Sequence, residues 1–488
     1  MYIILLILLV LSFLIYLYLR RSHDYWEIKN VPFQRPKLII GNIVSIFLGK
    51  YSPANYISQL CEEVEGPYVG FYVFNKPFIA IKDPVIIKNI LVKDFQKFSN
   101  KTYFNDLSID PMFSYSLLNI QNILWKKVRP SVSPVFTPAR VKTMISYAGT
   151  CGDAVCEYID CKIHENIDLK ELGSRLSTEV IASCAFGINS HCLNDIDSPF
   201  ATHACSLFPK AFSGLLKGFT YIFLPQAVKL FKYTFLDASA CSFIRKVITE
   251  AIEIREKSNT KRNDVVDILI SLKNSTSSEK LGEDILLSQA ITFFAVGHET
   301  ISAVLALTMY ELSQNKDIQF RLREEINEIV EQHGEITFDA LNDMTYLHKV
   351  VCEGLRMYPV ISFIHRRCVE NYVIPDTDVL LEKGTPIIIP IRWIHYNPAF
   401  FDHPEIFDPE RYNDNENVFN SDVYLPFGAG PRGCLGKRLA LMLVKVSLTY
   451  LIKNYQVEKG CVDESKSLFG SCHTLDPHEG LYVKFTRL

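Results

Sequence analysis

Between Gly282 and Asn315 apolar residues recur at helical spacing for about 34 residues and fall on nearly every face. At about 1.5 Å per residue this predicts a helix roughly 50 Å long. A helix apolar around so much of its surface has to be enclosed, so the pattern demands a large, mainly helical domain built around it. With 488 residues, 48% of them hydrophobic, the chain can bury such a helix. Inside the pattern, Ala295-Val296-Gly297-His298-Glu299-Thr300-Ile301 is a poor choice for helix stability, because Gly costs about 1 kcal/mol relative to Ala and an acid and an alcohol follow it. Local lapses of this kind are expected at functional sites. A kink with a threonine bonded back to the helix accounts for it equally well.

The remaining patterns add small sheets to the helices. Tyr68 to Asp83 predicts two strands joined around Asn75-Lys76-Pro77, and Ile387–Ile391 and Tyr482–Phe485 predict further strands. Helices dominate from about Pro84 to Asn315, interrupted by polar loops at 256–263 and 274–280. The fold class is therefore mainly α with smaller β-sheets (α+β), around one long central helix.

Tyr2 to Leu19 is apolar except for Ser12 and is followed by Arg20-Arg21, just long enough to cross a bilayer. No basic stretch precedes it and no small-residue cleavage site ends it, which favours an uncleaved signal anchor over a removed signal peptide. The basic residues on its C-terminal side assign the rest of the chain to the cytosol. Val31-Pro32-Phe33-Gln34-Arg35-Pro36 predicts a stiff hinge, since two prolines block helix continuation. The expected organisation is an anchor at 1–21, a hinge at 22–36 and one domain at 37–488. A net charge of −3 argues against a nucleic-acid partner. The 13 cysteines include no CxxC pair, and Cys151, Cys156 and Cys161 match neither a zinc ribbon nor a redox motif.

One cysteine stands apart. Leu425-Pro426-Phe427-Gly428-Ala429-Gly430-Pro431-Arg432-Gly433-Cys434-Leu435-Gly436 surrounds Cys434 with glycines and leads into a helical pattern from Leu435. A thiol opening a helix is inclined to ionise, and a thiolate is one of the few protein ligands for haem iron. A structural cysteine in a turn has the same local look. Glu353 and Arg356, three apart on an expected helix, can pair, as many surface residues do. Trp125 and Arg129, four apart, share a helical face and both donate hydrogen bonds.

Taken in order, these motifs resemble those of the cytochrome P450 superfamily over essentially the whole chain, with Phe-x-x-Gly-x-Arg-x-Cys-x-Gly filled at every signature position. The resemblance implies that Cys434 is the axial ligand of a haem b, with Phe427 near the sulfur and Gly430 and Gly436 keeping the backbone clear of the porphyrin. It implies that Arg432, Trp125 and Arg129 bind haem propionates. A further propionate partner is expected from His365, Arg366 or Arg367, with His365 the choice. Glu353 and Arg356 are implied to join Arg411, from Pro409-Glu410-Arg411-Tyr412, in a buried network that is plausible only with all three present. Glu299 and Thr300 are implied to relay protons during oxygen activation, and Gly297 to leave room for the oxygen. Val296 and Ile301 depart from the usual smaller or hydroxylated residues, and the bulkier Val296 would narrow the space for substrate or oxygen.

The family further implies a substrate pocket along residues 104–117, 208–216, 293–296 and 360–364, including Phe293, Val296 and Phe363. Lys126, Lys127, Lys437 and Arg438 fall where a reductase carrying electrons from NADPH docks, with cytochrome b5 a second candidate donor; an ordinary solvated charge pattern fits each lysine or arginine alone. Tyr25-Trp26, Ile336-Thr337-Phe338-Asp339 and Glu382-Lys383-Gly384-Thr385-Pro386 look most like insect microsomal members that oxidise xenobiotics. The expected function is a monooxygenase acting on a lipophilic small molecule at the cytosolic side of the endoplasmic reticulum membrane. The alternatives are an isomerase or dehydratase of the same fold, and a haem-thiolate ligand-binding protein without catalysis.

Overall fold

A computed structural model describes residues 2–48, 50–195, 197–208, 211–275, 281–412, 422–462 and 481–488. Seven helices position the site: α1 (Tyr2–His23), α2 (Asn122–Val132), α3 (Leu169–Val180), α4 (Ala211–Phe223), α5 (Glu283–Gln314), α6 (Thr345–Met357) and α7 (Lys437–Asn454). The long apolar pattern is α5, bounded by Gly282 and Asn315 as its caps, with Glu283 and Asp284 in the first turn where the helix dipole favours acids. It is mostly buried and packs against α3, α6 and α7, so enclosure by other helices is what its apolar surface required.

Four strands form the larger sheet: β1 (Tyr68–Val73), β2 (Lys76–Ile81), β3 (Ile364–Arg367) and β4 (Pro386–Ile389), ordered β1-β2-β4-β3. β1 and β2 form the expected hairpin, with Tyr72 opposite Pro77, and the turn falls on Phe74 and Asn75. β2 then runs parallel to β4, and β3 pairs antiparallel to β4 with His365 opposite Ile388. A second sheet joins Ile167–Asp168, Leu481–Arg487 and Tyr455–Val462.

Three boundaries differ from expectation. The strand expected to reach Ile391 stops at Ile389, because Pro390 lacks an amide donor and Ile391–His395 turns helical. The charged segment 256–263 is a loop only from Asn259, since its first residues finish the helix Ala238–Ser258. The helix after Cys434 begins at Lys437, with Gly436 as its cap. Of the polar break at 274–280, residues 276–280 lie outside the described residues.

α1 is long and apolar enough to cross a membrane and leaves its apolar side chains exposed, whereas α5 passes the same test by being core. Residues 22–36, the expected hinge, lie against β1. Tyr72 donates its hydroxyl to the His23 carbonyl (2.8 Å), and Trp26 is fully buried. Gly70 makes that burial possible: a Cβ there would sit 2.6 Å from the indole.

Candidate active site

Short hydrogen-bonded turns shape the Cys434 loop. Gly428 N–H donates to the Leu425 carbonyl (2.9 Å), Gly433 N–H to Gly430 (2.9 Å) and Cys434 N–H to Phe427 (2.8 Å). Gly428 and Gly430 take left-handed φ of 66° and 68°, which favours glycine. At Gly430 a Cβ would also stand 1.9 Å from the Leu91 carbonyl oxygen, so the loop's outer wall already demands glycine there. Gly436 faces Phe136 at ordinary contact distance.

The Cys434 side chain is exposed, and the space it reaches is the interior cavity, whose wall it shares with Phe427, Arg432 and Gly436. Burial among protein atoms raises its thiol above the ordinary range, against the opposing pull of the Gly436 N–H, Arg129, Lys437 and Lys101. In the protein alone, desolvation therefore outweighs the helix-end ionisation expected from sequence. The cavity encloses about 1760 Å³ of non-atom space, part of it open to solvent.

Opposite the loop, α5 presents Phe293, Val296, Gly297, Thr300, Ile301 and Val304 to the cavity. These positions follow one helical stripe, which puts Thr300 on the wall and turns Glu299 onto the neighbouring face, outside the lining. The space beside Gly297 is taken up by Ile181, whose Cδ1 would lie 3.1 Å from an added Cβ. Of the pocket segments expected, Leu117, Val360, Ile361, Phe363 and Ile364 line the cavity, and Phe363 is fully buried. No described residue of 208–216 does so.

The cations gather at one end. Trp125 and Arg129 come from α2, and Arg129 donates Nη2 to the Gly433 carbonyl (3.1 Å). The Arg432 guanidinium lies 4.5 Å over the Trp125 ring and bonds to the carbonyls of Ser99, Leu117 and Ile120. Lys101 and Arg366, with His365, complete the group on the cavity wall. Lys101 carried no sequence signal, standing alone in the loop before α2. Burial lowers Arg366 to about 10, and burial with the repulsion of Arg366 and Arg129 lowers Arg432 to about 9. Lys101 is driven well down by burial and by the charges of Arg366, Arg432 and Arg129.

Among the described residues no carboxylate pairs with Lys101, Arg129, Arg366 or Arg432, while Trp125 Nε1 and Arg366 Nε are buried without an acceptor. Clustered, unpaired cations and orphaned donors fit a dianionic group such as the two propionates of a haem. His365 is on the wall, yet its Nδ1 already lies 2.7 Å from Thr102 Oγ1 and 3.1 Å from the Thr102 amide. Arg367 points elsewhere, to the Thr102 carbonyl (3.3 Å). His365 and Arg367, two apart on β3, thus both bond to Thr102, whereas Arg366 between them is turned to the other face.

Behind the loop, the three-residue ion network is complete. Arg356 grips Glu353 with Nε and Nη2 at 2.9 and 2.8 Å, and Arg411 Nε reaches the same carboxylate at 2.9 Å. Tyr412 and the Asp408 amide donate to it as well, at 3.0 and 3.1 Å. His395, which the sequence reading missed, ties this network to the loop. Its Nδ1 donates to the Arg356 carbonyl (3.0 Å) and its Nε2 accepts from the Leu425 amide (3.0 Å). Burial holds its pKa down at about 3, consistent with the neutral tautomer these partners require. On the outer side, Lys126, Lys437 and Arg438 are exposed and Lys127 half-buried. Lys437 and Arg438 border a groove with His348 and Lys349.

With this geometry in hand, comparison with known proteins is specific. The family model for cytochrome P450 matches residues 31–485. Cytochrome P450 6k1 of Blattella germanica is 35% identical over 472 residues, covering 92% of this chain and 90% of the relative. Probable cytochrome P450 6g2 of Drosophila melanogaster is 35% identical over 470 residues, covering 91% and 90%. Cytochrome P450 6a2 of the same fly is 32% identical over 475 residues, covering 91% of each.

Proposed function

This chain belongs to the cytochrome P450 family and is a haem-thiolate monooxygenase, and we propose that it oxidises lipophilic xenobiotics with electrons passed from NADPH by a reductase. The observation that carries the reading is the single cavity that holds an accessible thiol, an unpaired cation cluster and an apolar opposite wall. Cys434 would hold the iron of a haem b, and Arg129, Arg366, Arg432, Lys101 and Trp125 its carboxylates. When bound, that group would supply the activation of dioxygen and the insertion of one of its oxygen atoms into a C–H or C=C bond, the other leaving as water.

The chain's own residues do the rest. Thr300 holds a hydroxyl proton on the cavity wall, and Glu299, one residue away on the next face, is the acid that replaces it. Phe293, Val296 and Phe363 exclude water and orient an apolar substrate, and Ile181 beside Gly297 narrows the space further. Lys126, Lys127, Lys437 and Arg438 offer an acidic reductase, or cytochrome b5, a charged face that steers encounter. The exposed apolar α1, followed by Arg20 and Arg21, supports anchoring in the endoplasmic reticulum membrane with the domain on the cytosolic side.

Incubation with reductase, NADPH and a library of lipophiles, read by mass spectrometry, should yield products gaining one oxygen atom. Thr300→Ala should release more peroxide per NADPH than the parent. Conversion without NADPH would instead indicate an isomerase, and ligand binding without NADPH consumption a non-catalytic carrier.

The choice among the three residues of β3 is testable separately. Losing one charge-assisted bond of about 1.5–3 kcal/mol, Arg366→Ala should release haem to an acceptor globin roughly 10- to 150-fold faster. Arg367→Ala should leave the release rate near that of the parent. The reverse order would move the propionate contact to Arg367.

A further inference from the structure

The described part of segment 208–216 is cut off from the cavity by an aromatic layer. Leu118, Phe363 and His365 line the cavity, and behind them pack Tyr103, Phe113, Tyr221 and Phe235. Tyr103 meets the His365 ring at 4.2 Å, Phe113 stacks on Phe235 at 4.5 Å, and Tyr221 meets Phe235 at 4.9 Å. The layer is not one chain segment. Tyr103 and Phe113 belong to the stretch before α2, whereas Tyr221 belongs to α4 and Phe235 to the loop after the next helix, Pro225–Phe231.

The two sides are held differently. The Phe113 side is pinned to the central helix: Ser288 Oγ donates to the Met112 carbonyl (2.6 Å), and Gln289 Nε2 to Tyr115 (2.7 Å). It is also braced internally, with Asn119 Nδ2 bonded to the Phe104 carbonyl (2.6 Å). The α4 side meets it through aromatic contacts and polar bonds. Phe104 N–H donates to the Tyr221 carbonyl (2.7 Å). Tyr221 hydroxyl and Phe235 N–H both donate to Asp110 Oδ2, at 2.7 and 2.8 Å. Asp110 Oδ1 accepts from Phe113 N–H (3.1 Å) on its own side.

Asp110 is 2% exposed, and no cation among the described residues pairs with it. A carboxylate buried on neutral donors alone is held in place by them, yet regains full hydration once its cover lifts. The seam is therefore closed by strong local bonds while its opening is favoured by carboxylate hydration, which suits a two-state closure better than a permanent wall.

We propose that Asp110 is the keeper of a latch, hooked by Tyr221 and Phe235, whose release parts α4 from residues 103–118 and admits bulky ligands to the cavity. Asp110 and Tyr221 thereby set which ligands enter and how fast, without touching them. The proposal rests on the reading that the cavity takes bulky lipophiles.

The test uses the full-length ferric holoprotein, with stopped-flow absorbance following two iron-binding probes, imidazole and N-dodecylimidazole. Tyr221→Phe keeps the ring packing and removes one hook. It should raise both association and release of N-dodecylimidazole by about tenfold, leaving the dissociation constant and the imidazole rates unchanged. Asp110→Asn keeps the shape with weaker bonds and should raise both rates by about threefold. Unchanged rates, equal acceleration of both probes, or a change in release alone would each overturn the latch. In the parent, the Phe104 and Phe235 amide hydrogens, both bonded across the seam, should exchange at a common rate; separate rates count against a single closure. Because the azoles bind the iron whatever the natural substrate, absence of lipophile oxidation would reject the substrate reading while leaving the latch testable.

Discussion

Replacing Cys434 by serine is expected to abolish the thiolate-type absorption of the ferrous–carbonyl protein and to bring oxygenation to background. Serine nearly matches cysteine in shape, and the loop is shaped by backbone bonds at Gly428, Gly433 and Cys434, so the turn should survive. A serine hydroxyl does not ionise near neutral pH and supplies none of the electron density that a thiolate gives to iron. Cys434 is also the only cysteine among the described residues lining the cavity, so no second thiol can substitute. The cation cluster should still retain some haem, which separates loss of the axial ligand from loss of the site. A variant with the parent's carbonyl spectrum would overturn the assignment.

Substituting Glu353 with alanine should destabilise the protein by about 3–5 kcal/mol, the cost of leaving a buried charge uncompensated. Glu353 and Arg356 are both fully buried, and five donor groups converge on the one carboxylate. Its removal strands the Arg356 guanidinium, which also reaches the His395 carbonyl (2.9 Å). Since His395 accepts from the Leu425 amide, the damage should extend to the Cys434 loop and appear as weakened haem retention as well as a lower melting temperature. Glu353→Gln, which keeps the volume but not the charge, should show a smaller loss of the same kind. If Glu353→Gln and Glu353→Ala both melted with the parent and kept their haem, the network would have no part in holding the site.

Much of this was legible in the chain because it rests on near neighbours. The stripe of α5 from Phe293 to Val304 follows from helical periodicity, and Glu353 with Arg356 from a three-residue spacing. The Cys434 loop follows from glycines whose backbone angles are local. Lys101 was not legible, since a lone lysine in a loop carries no pattern. Arg366 could not be separated from His365 and Arg367 without the pairing register of β3 with β4. His395, Ile181 and the Asp110–Tyr221 seam were likewise invisible, because each acquires meaning only from a partner far away in the chain.

By itself, then, the sequence determined the thiol and the cation motifs, the enclosed central helix and an apolar N-terminal segment, all set by spacings within a turn or a loop. Only the tertiary structure decided which cations meet without a carboxylate, which α5 residues face the thiol, and how the cavity is roofed. Those features depend on long-range packing, where desolvation and the register of distant segments, rather than local pattern, select the partners.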